Sequence, residues 1–256
     1  MENIAGAAAL WARVLTFRAS RRDLQDLRGV HLAGGILATW LVGMGRYWDH
    51  PRANLLQYLG TGSVAYVFVL AAILWLSFGL LHPRHHSYRG ILTFITMTSP
   101  PAMLYAIPVE RFTDPDTAAH LNIGFLAAVA CWRIALVIFY AMRALELPAV
   151  AAAAGLALPV LGIIVSLAIL NLDHVVFDFM GGIEKDRSGV LAGREAAYMA
   201  TLGLTWISIL AFIPTLLVYA GAVFWRSPKM PPDPSLIAPG PGVPTASGVQ
   251  PPTSSP

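Results

Sequence analysis

Apolar residues in this chain come in long unbroken runs, not in alternation. Residues 29–48, 61–81, 90–109, 119–142, 149–171 and 196–225 each hold about 20 or more mostly apolar positions. That is the length a helix needs to cross about 30 Å of hydrocarbon. Backbone polar groups in lipid must be satisfied within a helix or a closed barrel. Barrel strands alternate inward polar and outward apolar residues, and these runs do not. The pattern therefore predicts an all-α, polytopic membrane helical bundle with about six transmembrane helices.

Proline punctuates the runs. Pro100 and Pro101 lie near the middle of the third, Pro159 near the middle of the fifth, and Pro214 towards the end of the sixth. A helical proline removes the bond to the carbonyl four residues back, so the third helix is expected to break at Pro100–Pro101.

Two segments flank the bundle, which is expected over residues 29–226. In residues 1–28, Leu10, Trp11, Val14, Leu15 and Phe17 interleave with Arg13 and Arg18 at roughly helical spacing. This arm reads as an interfacial amphipathic helix or as a loosely structured terminus. Its acidic Glu2 and early Arg13 do not make a signal peptide, so the first span is expected to serve as its own anchor. Residues 227–256 are rich in Pro, Gly and Ser and are expected to form a disordered cytoplasmic tail. The two halves of the chain do not repeat, which argues against an inverted-repeat transporter.

Composition sharpens this. Apolar residues make up 56% and charged residues 12%, where a soluble domain carries about 25% charged. With the N-terminus inside, ten Lys and Arg fall on the cytoplasmic side and six outside. This bias places both termini in the cytoplasm and the protein in the cell membrane. Trp40, Tyr47, Trp48 and Trp225 near span ends suit aromatic belts. The expected partner is the lipid bilayer, with a membrane protein or a second copy as the class of protein contact. Basic residues at span ends give no nucleic-acid reading. Cys131 is the single cysteine, so neither a disulfide nor a paired-cysteine metal site can form. No metal or cofactor is called for.

One residue breaks the apolar pattern. Arg133 sits near the centre of the fourth run, in "VACWRIALVIFYAM". A charge at that depth costs at least about 2.5–3.5 kcal/mol. The cytoplasmic end of the run is about nine residues away, or ~14 Å, too far for full snorkelling. No Asp or Glu lies inside any run, so the guanidinium needs neutral acceptors, an anion or water. The break in the third run offers acceptors: the carbonyls of Thr96 and Met97, and the hydroxyls of Thr93, Thr96, Thr98 and Ser99. Arg133 is expected to reach the Thr96–Ser99 segment. Asn122, Arg133 and Tyr140 fall nearly on one helical face at 100° per residue, with Cys131 pointing away. Two readings follow: a buried polar clamp between the third and fourth spans, or an anion or substrate site.

Outside, titratable residues collect at the span ends. Asp49 and His50 follow the first run, Glu110 closes the third, and His120 opens the fourth. Asp173, His174 and Asp178 follow the fifth, and Glu195 opens the sixth. Imidazole and carboxylate groups are metal-ligand and acid–base types, but "DHVVFD" is no known motif, and loop residues are polar in any case. His82, His85 and His86 lie in a basic cytoplasmic loop suited to anionic headgroups. Gly35, Thr39 and Gly43 repeat every fourth position, a pattern that lets helices approach closely. Packing within the chain is the favoured reading.

The stretch "HSYRGILTFITMTSPPAML" followed by "ACWRIALVIFYAMRALELPAV" resembles the later helices of Yip1-type membrane proteins. Those show a basic or aromatic entry, a Ser/Pro pair within the helix, and a helix leading into a short basic loop. The resemblance covers about residues 87–170. It implies a multi-span membrane protein without a defined reaction and carries over no catalytic residue. Such proteins usually have about five spans, against six here, and no DLYGP-like motif is present.

Three functions are consistent with these features. The first is a membrane-organising or interaction protein without catalytic machinery. The second is a transporter or channel for a small, anionic solute, using Arg133, Asn122 and the broken helix. The third is a membrane-embedded enzyme using the outer His and Asp residues.

Overall fold

The computed structural model describes residues 4–45, 48, 55–170 and 191–227. The expected tail, Asp49, His50, Asp173, His174 and Asp178 lie outside the described residues. Among those described, the chain is helical and contains no strand. The helices are α1 (Ile4–Leu15), α2 (Arg21–Gln25), α3 (Gly29–Gly45), α4 (Leu55–Tyr58), α5 (Thr61–Gly79), α6 (Tyr88–Met97), α7 (Pro115–Arg143), α8 (Ala149–Ile169) and α9 (Leu191–Arg226). Two 3-10 segments, Pro100–Ala106 and Val109–Arg111, join α6 to α7.

Four stretches are long and apolar enough to cross a membrane: Thr61–Gly79, His120–Arg143, Ala149–Ile169 and Thr201–Arg226. The first and third expected spans take another form. α3 is a shorter apolar helix of 17 residues. α6 has ten residues and gives way to the seven-residue 3-10 segment at Pro100. The two prolines explain the change, since neither can donate the next α-helical bond.

α6 forms the centre of the bundle. Every residue from Ile91 to Ser99 is buried. α3 and the α6/3-10 strip run side by side in the same direction. Gly29 meets Arg89, Gly35 meets Thr96, Thr39 meets Ser99, and Gly45 meets Ala106. Glycine makes the approach possible. A Cβ on Gly35 would lie 2.8 Å from Thr96 Cβ, and one on Gly43 would lie 2.8 Å from Ser63 Cβ. The small-residue stripe of α3 is thus an internal packing face against α6 and α5.

The other helices alternate in direction. Ser63 of α5 lies at the Gly43 end of α3, and Tyr140 near the end of α7 puts its hydroxyl over Gly90 near the start of α6 and stacks on Phe94 at 4.3 Å. Gly155 of α8 packs on Phe78 and Leu81, and Gly162 on Phe212 of α9. One end of the bundle gathers α2, the 80–87 loop, the Ala144–Leu147 turn and Arg226. Gln25 donates to the Ala144 carbonyl at 3.2 Å, and Arg226 donates to the Leu81 carbonyl at 2.8 Å.

The N-terminal arm joins the bundle. α1 forms as the periodicity predicts, with Leu10 and Val14 in the core. Trp11 donates to the Met97 carbonyl at 2.5 Å, and Trp132 of α7 donates to the Leu15 carbonyl at 3.1 Å. α2 is closed by a capping box, Ser20 and Asp23 each bonding the other's backbone N–H, a pairing that satisfies two free donors of a helix start.

Candidate functional site

The prolines leave carbonyls that need partners, and the structure supplies them from neighbouring helices. Pro100 frees the Thr96 carbonyl, which accepts from the Ser99 N–H at 3.2 Å and lies 3.5 Å from the Thr39 hydroxyl. Pro101 frees the Met97 carbonyl, which takes the Trp11 indole. Thr39 and Ser99 share a 2.6 Å hydroxyl contact. Pro159 frees the Gly155 carbonyl, which accepts from Ser77 at 2.5 Å, and the Ser77 carbonyl accepts in turn from Tyr219 at 2.5 Å. A buried carbonyl without a partner costs about 1–3 kcal/mol, so each of these bonds ties a helix to the proline bend it serves.

This settles where the polar residues of the third run point. Thr93, Thr96 and Thr98 bond back to the Arg89, Thr93 and Ile95 carbonyls at 2.7–2.8 Å. Arg133 Nη2 bonds none of the acceptors expected for it; the Thr96 and Met97 carbonyls instead meet Thr39 and Trp11. The groups that meet this segment are Trp11 of α1 and Thr39 of α3. Neither stood out in the sequence as a partner, because no local spacing links residue 11 or 39 to residue 97 or 99.

Arg133 stands apart from that network. On α7 the buried residues Val129, Leu136, Val137, Tyr140 and Ala144 form one arc at 100° per residue. Arg133 falls in the middle of it. Its Nη2 is buried and has no hydrogen-bond partner among the described residues. The residue as a whole is half-buried. Ser208 of α9 is the other buried polar atom without a partner. It shares a face with Phe212 and Tyr219, which pack on α8 and α5.

Packing around Arg133 is uneven along the helix axis. Towards the basic end, Leu136 to Leu147 of α7 and its turn, and Ala151 to Leu156 of α8, contribute most of their residues to the core. Beyond Arg133 the pattern stops: no residue is buried from Leu121 to Ala128 of α7 or from Ala157 to Leu170 of α8. The α8–α9 contact continues there, with Gly162 on Phe212, but burial is shallower.

The remaining candidates scatter. Asn122 is half-buried on α7, and Tyr140 is buried with its hydroxyl over Gly90. His120 is exposed, and Glu110 lies in the Val109–Arg111 turn. His86 stacks on Trp75 at 5.4 Å, and His85 lies 3.4 Å from Glu146. Among the described residues, no three His, Cys, Asp or Glu side chains converge to hold a metal ion. Glu146, missed in the sequence, receives Arg21, Arg84 and His85. Its φ is +56°, a left-handed conformation that costs a non-glycine residue roughly 1–2 kcal/mol.

No family model, curated protein or solved structure matches this chain.

Proposed function

We propose that the chain is a six-pass protein of the cell membrane with both termini in the cytoplasm, and that it binds an anionic group at Arg133 as a transporter or channel would. The pass count rests on four long helices and two shorter crossings. α3 rises about 26 Å, and α6 with its 3-10 continuation about 29 Å, against a core of about 30 Å. Their shared direction suits the first and third passes. The orientation rests on the basic end, where Arg21, Arg84 and Arg226 lie.

The observation that carries the binding reading is the unpartnered Nη2 of Arg133. A guanidinium at this depth requires an acceptor. The described spans contain no carboxylate, and no neutral group of α6 bonds Nη2. A transporter-type site therefore fits better than a structural clamp at this residue. The Yip1-type resemblance adds a multi-span architecture and no chemistry.

The test is a stability screen of the purified protein against chloride, sulfate, phosphate and short carboxylates, and against lipids. At least one anion should raise the thermal midpoint of wild type and leave Arg133→Gln unmoved. Equal responses in both proteins, or none in either, would end the reading. Topology is tested separately, with Cys131→Ala and single cysteines at His85 and Phe112. An impermeant thiol reagent added outside cells should label the second and spare the first.

A further inference from the structure

Any ligand that reaches Arg133 from the loosely packed half of the bundle travels along apolar walls. The α7 stretch from Leu121 to Ala128 carries one polar side chain, Asn122, and the α8 stretch from Ala157 to Leu170 carries one, Ser166. Ser166 is bonded to the Gly162 carbonyl at 2.7 Å. A hydrated inorganic ion would lose most of its water along such a path, and few groups replace that water. An amphiphile loses less, because its tail stays against apolar surface and only its head is dehydrated before it meets the charge.

From this we infer that the anion taken at Arg133 is the headgroup of an anionic lipid, which enters sideways from the bilayer between α7 and the α8–α9 pair. The inference rests on the anion reading above and names its ligand class. Charge complementarity supplies the head contact, since a guanidinium forks onto phosphate or carboxylate oxygens. Arg133 lies ten residues from Arg143, about 15 Å along the helix. A headgroup bound there sits part-way across the membrane, which is where a protein that moves lipids between leaflets must hold one.

The experiment uses the full chain purified in a neutral detergent. Its thermal midpoint is measured with dioleoyl phosphatidylglycerol, with dioleoyl phosphatidylcholine and with inorganic phosphate. Lipid phosphorus retained per protein is measured alongside. Phosphatidylglycerol should raise the midpoint by several degrees, and the other two should not. About one phosphatidylglycerol should remain bound to wild type, and none to Arg133→Gln. Leu126→Trp serves as the second variant in case the first fails to fold. Leu126 lies two turns from Arg133 on the same face and is only half-buried, so tryptophan fills the entry and leaves the charge. It should fold and bind no lipid. Stabilisation by phosphate alone would overturn the lipid inference and keep the anion reading. Stabilisation by no anion, free or lipid, would overturn both. Lipid binding that survives in both variants would place the lipid elsewhere and overturn the inference.

Discussion

Gly35→Ala places one methyl group where α3 and α6 touch. The new Cβ would lie 2.8 Å from Thr96 Cβ and 3.1 Å from the Thr96 carbonyl carbon, and would also meet Thr96 Oγ1. The hydroxyl could rotate away, but the Cβ and the backbone carbon cannot. The helices must separate by several tenths of an ångström to restore contact. Overpacking of this kind costs about 1–3 kcal/mol. The 2.6 Å contact between Thr39 and Ser99 sits one turn further along the same seam, and losing it adds about 1 kcal/mol. Alanine recovers about 1 kcal/mol of helix propensity over glycine, which leaves a net loss of about 1–3 kcal/mol. At roughly 2–4 °C per kcal/mol for a chain of this size, the thermal midpoint in detergent should fall by about 3–10 °C. Gly124→Ala is the matched control. Its Cβ meets nothing within 4 Å, so only the propensity gain remains and the midpoint should rise slightly. Adding Thr96→Gly to Gly35→Ala removes the Cβ that clashes and should recover part of the loss. If Gly35→Ala raised the midpoint as Gly124→Ala does, the close approach of α3 and α6 would be wrong.

Three further outcomes follow from the bonds at the bends and the arm. Trp11→Phe keeps the ring and removes the donor to the Met97 carbonyl, so stability should fall by about 1–3 kcal/mol, with hydrogen exchange rising first in α1 and around Met97. Ser77→Ala leaves the Gly155 carbonyl bare and should cost a similar amount, whereas Ser166→Ala removes only a bond within its own helix and should cost little. The Ser20 backbone N–H and hydroxyl, with Arg13 beside them, hold the Asp23 carboxyl below its ordinary value of 3.8. A depressed carboxylate contributes stability above its unfolded pKa and loses it as pH falls through the lower folded value. Pepsin cleavage near α2 should therefore increase only below about pH 3.8, and an Asp23→Asn variant should not show that step.

Helical class and membrane length were legible because both depend on unbroken apolar runs, which any part of the chain displays by itself. The prolines announced where bends would fall, and they marked the Thr96 and Met97 carbonyls as free. They could not announce what would satisfy those carbonyls. Trp11 is 86 residues from Met97, and nothing in either neighbourhood encodes the meeting. The same limit applied to Arg133. Its depth and lack of a carboxylate were plain in the sequence, but the carbonyls nearest in expectation meet Trp11 and Thr39, from helices far off in the chain. The arm's arginines interleave with apolar residues, a pattern that fits an interfacial helix or a loosely structured terminus. Two indole bonds and a core position for Val14 draw it into the bundle, while Arg13 stays exposed. Pro159 was the one overlooked signal, since its free Gly155 carbonyl called for a donor such as Ser77.

The contacts of the N-terminal arm also set an order of assembly. Arg21 is made early, and the Glu146 carboxylate that receives it lies 125 residues later. Met97 and Trp132, which hold α1, are also late. At about 5–20 residues per second, the arm waits roughly 6–25 s after leaving the ribosome before its anchors exist. During that interval it is an apolar helix with two indole bonds still unmade. Complete docking of the arm can only follow synthesis of α7 and Glu146, so it records that the chain has been made that far. A truncation ending before Glu146 would leave the arm with no carboxylate for Arg21, and such a fragment would present it to whatever surveys unfinished membrane proteins.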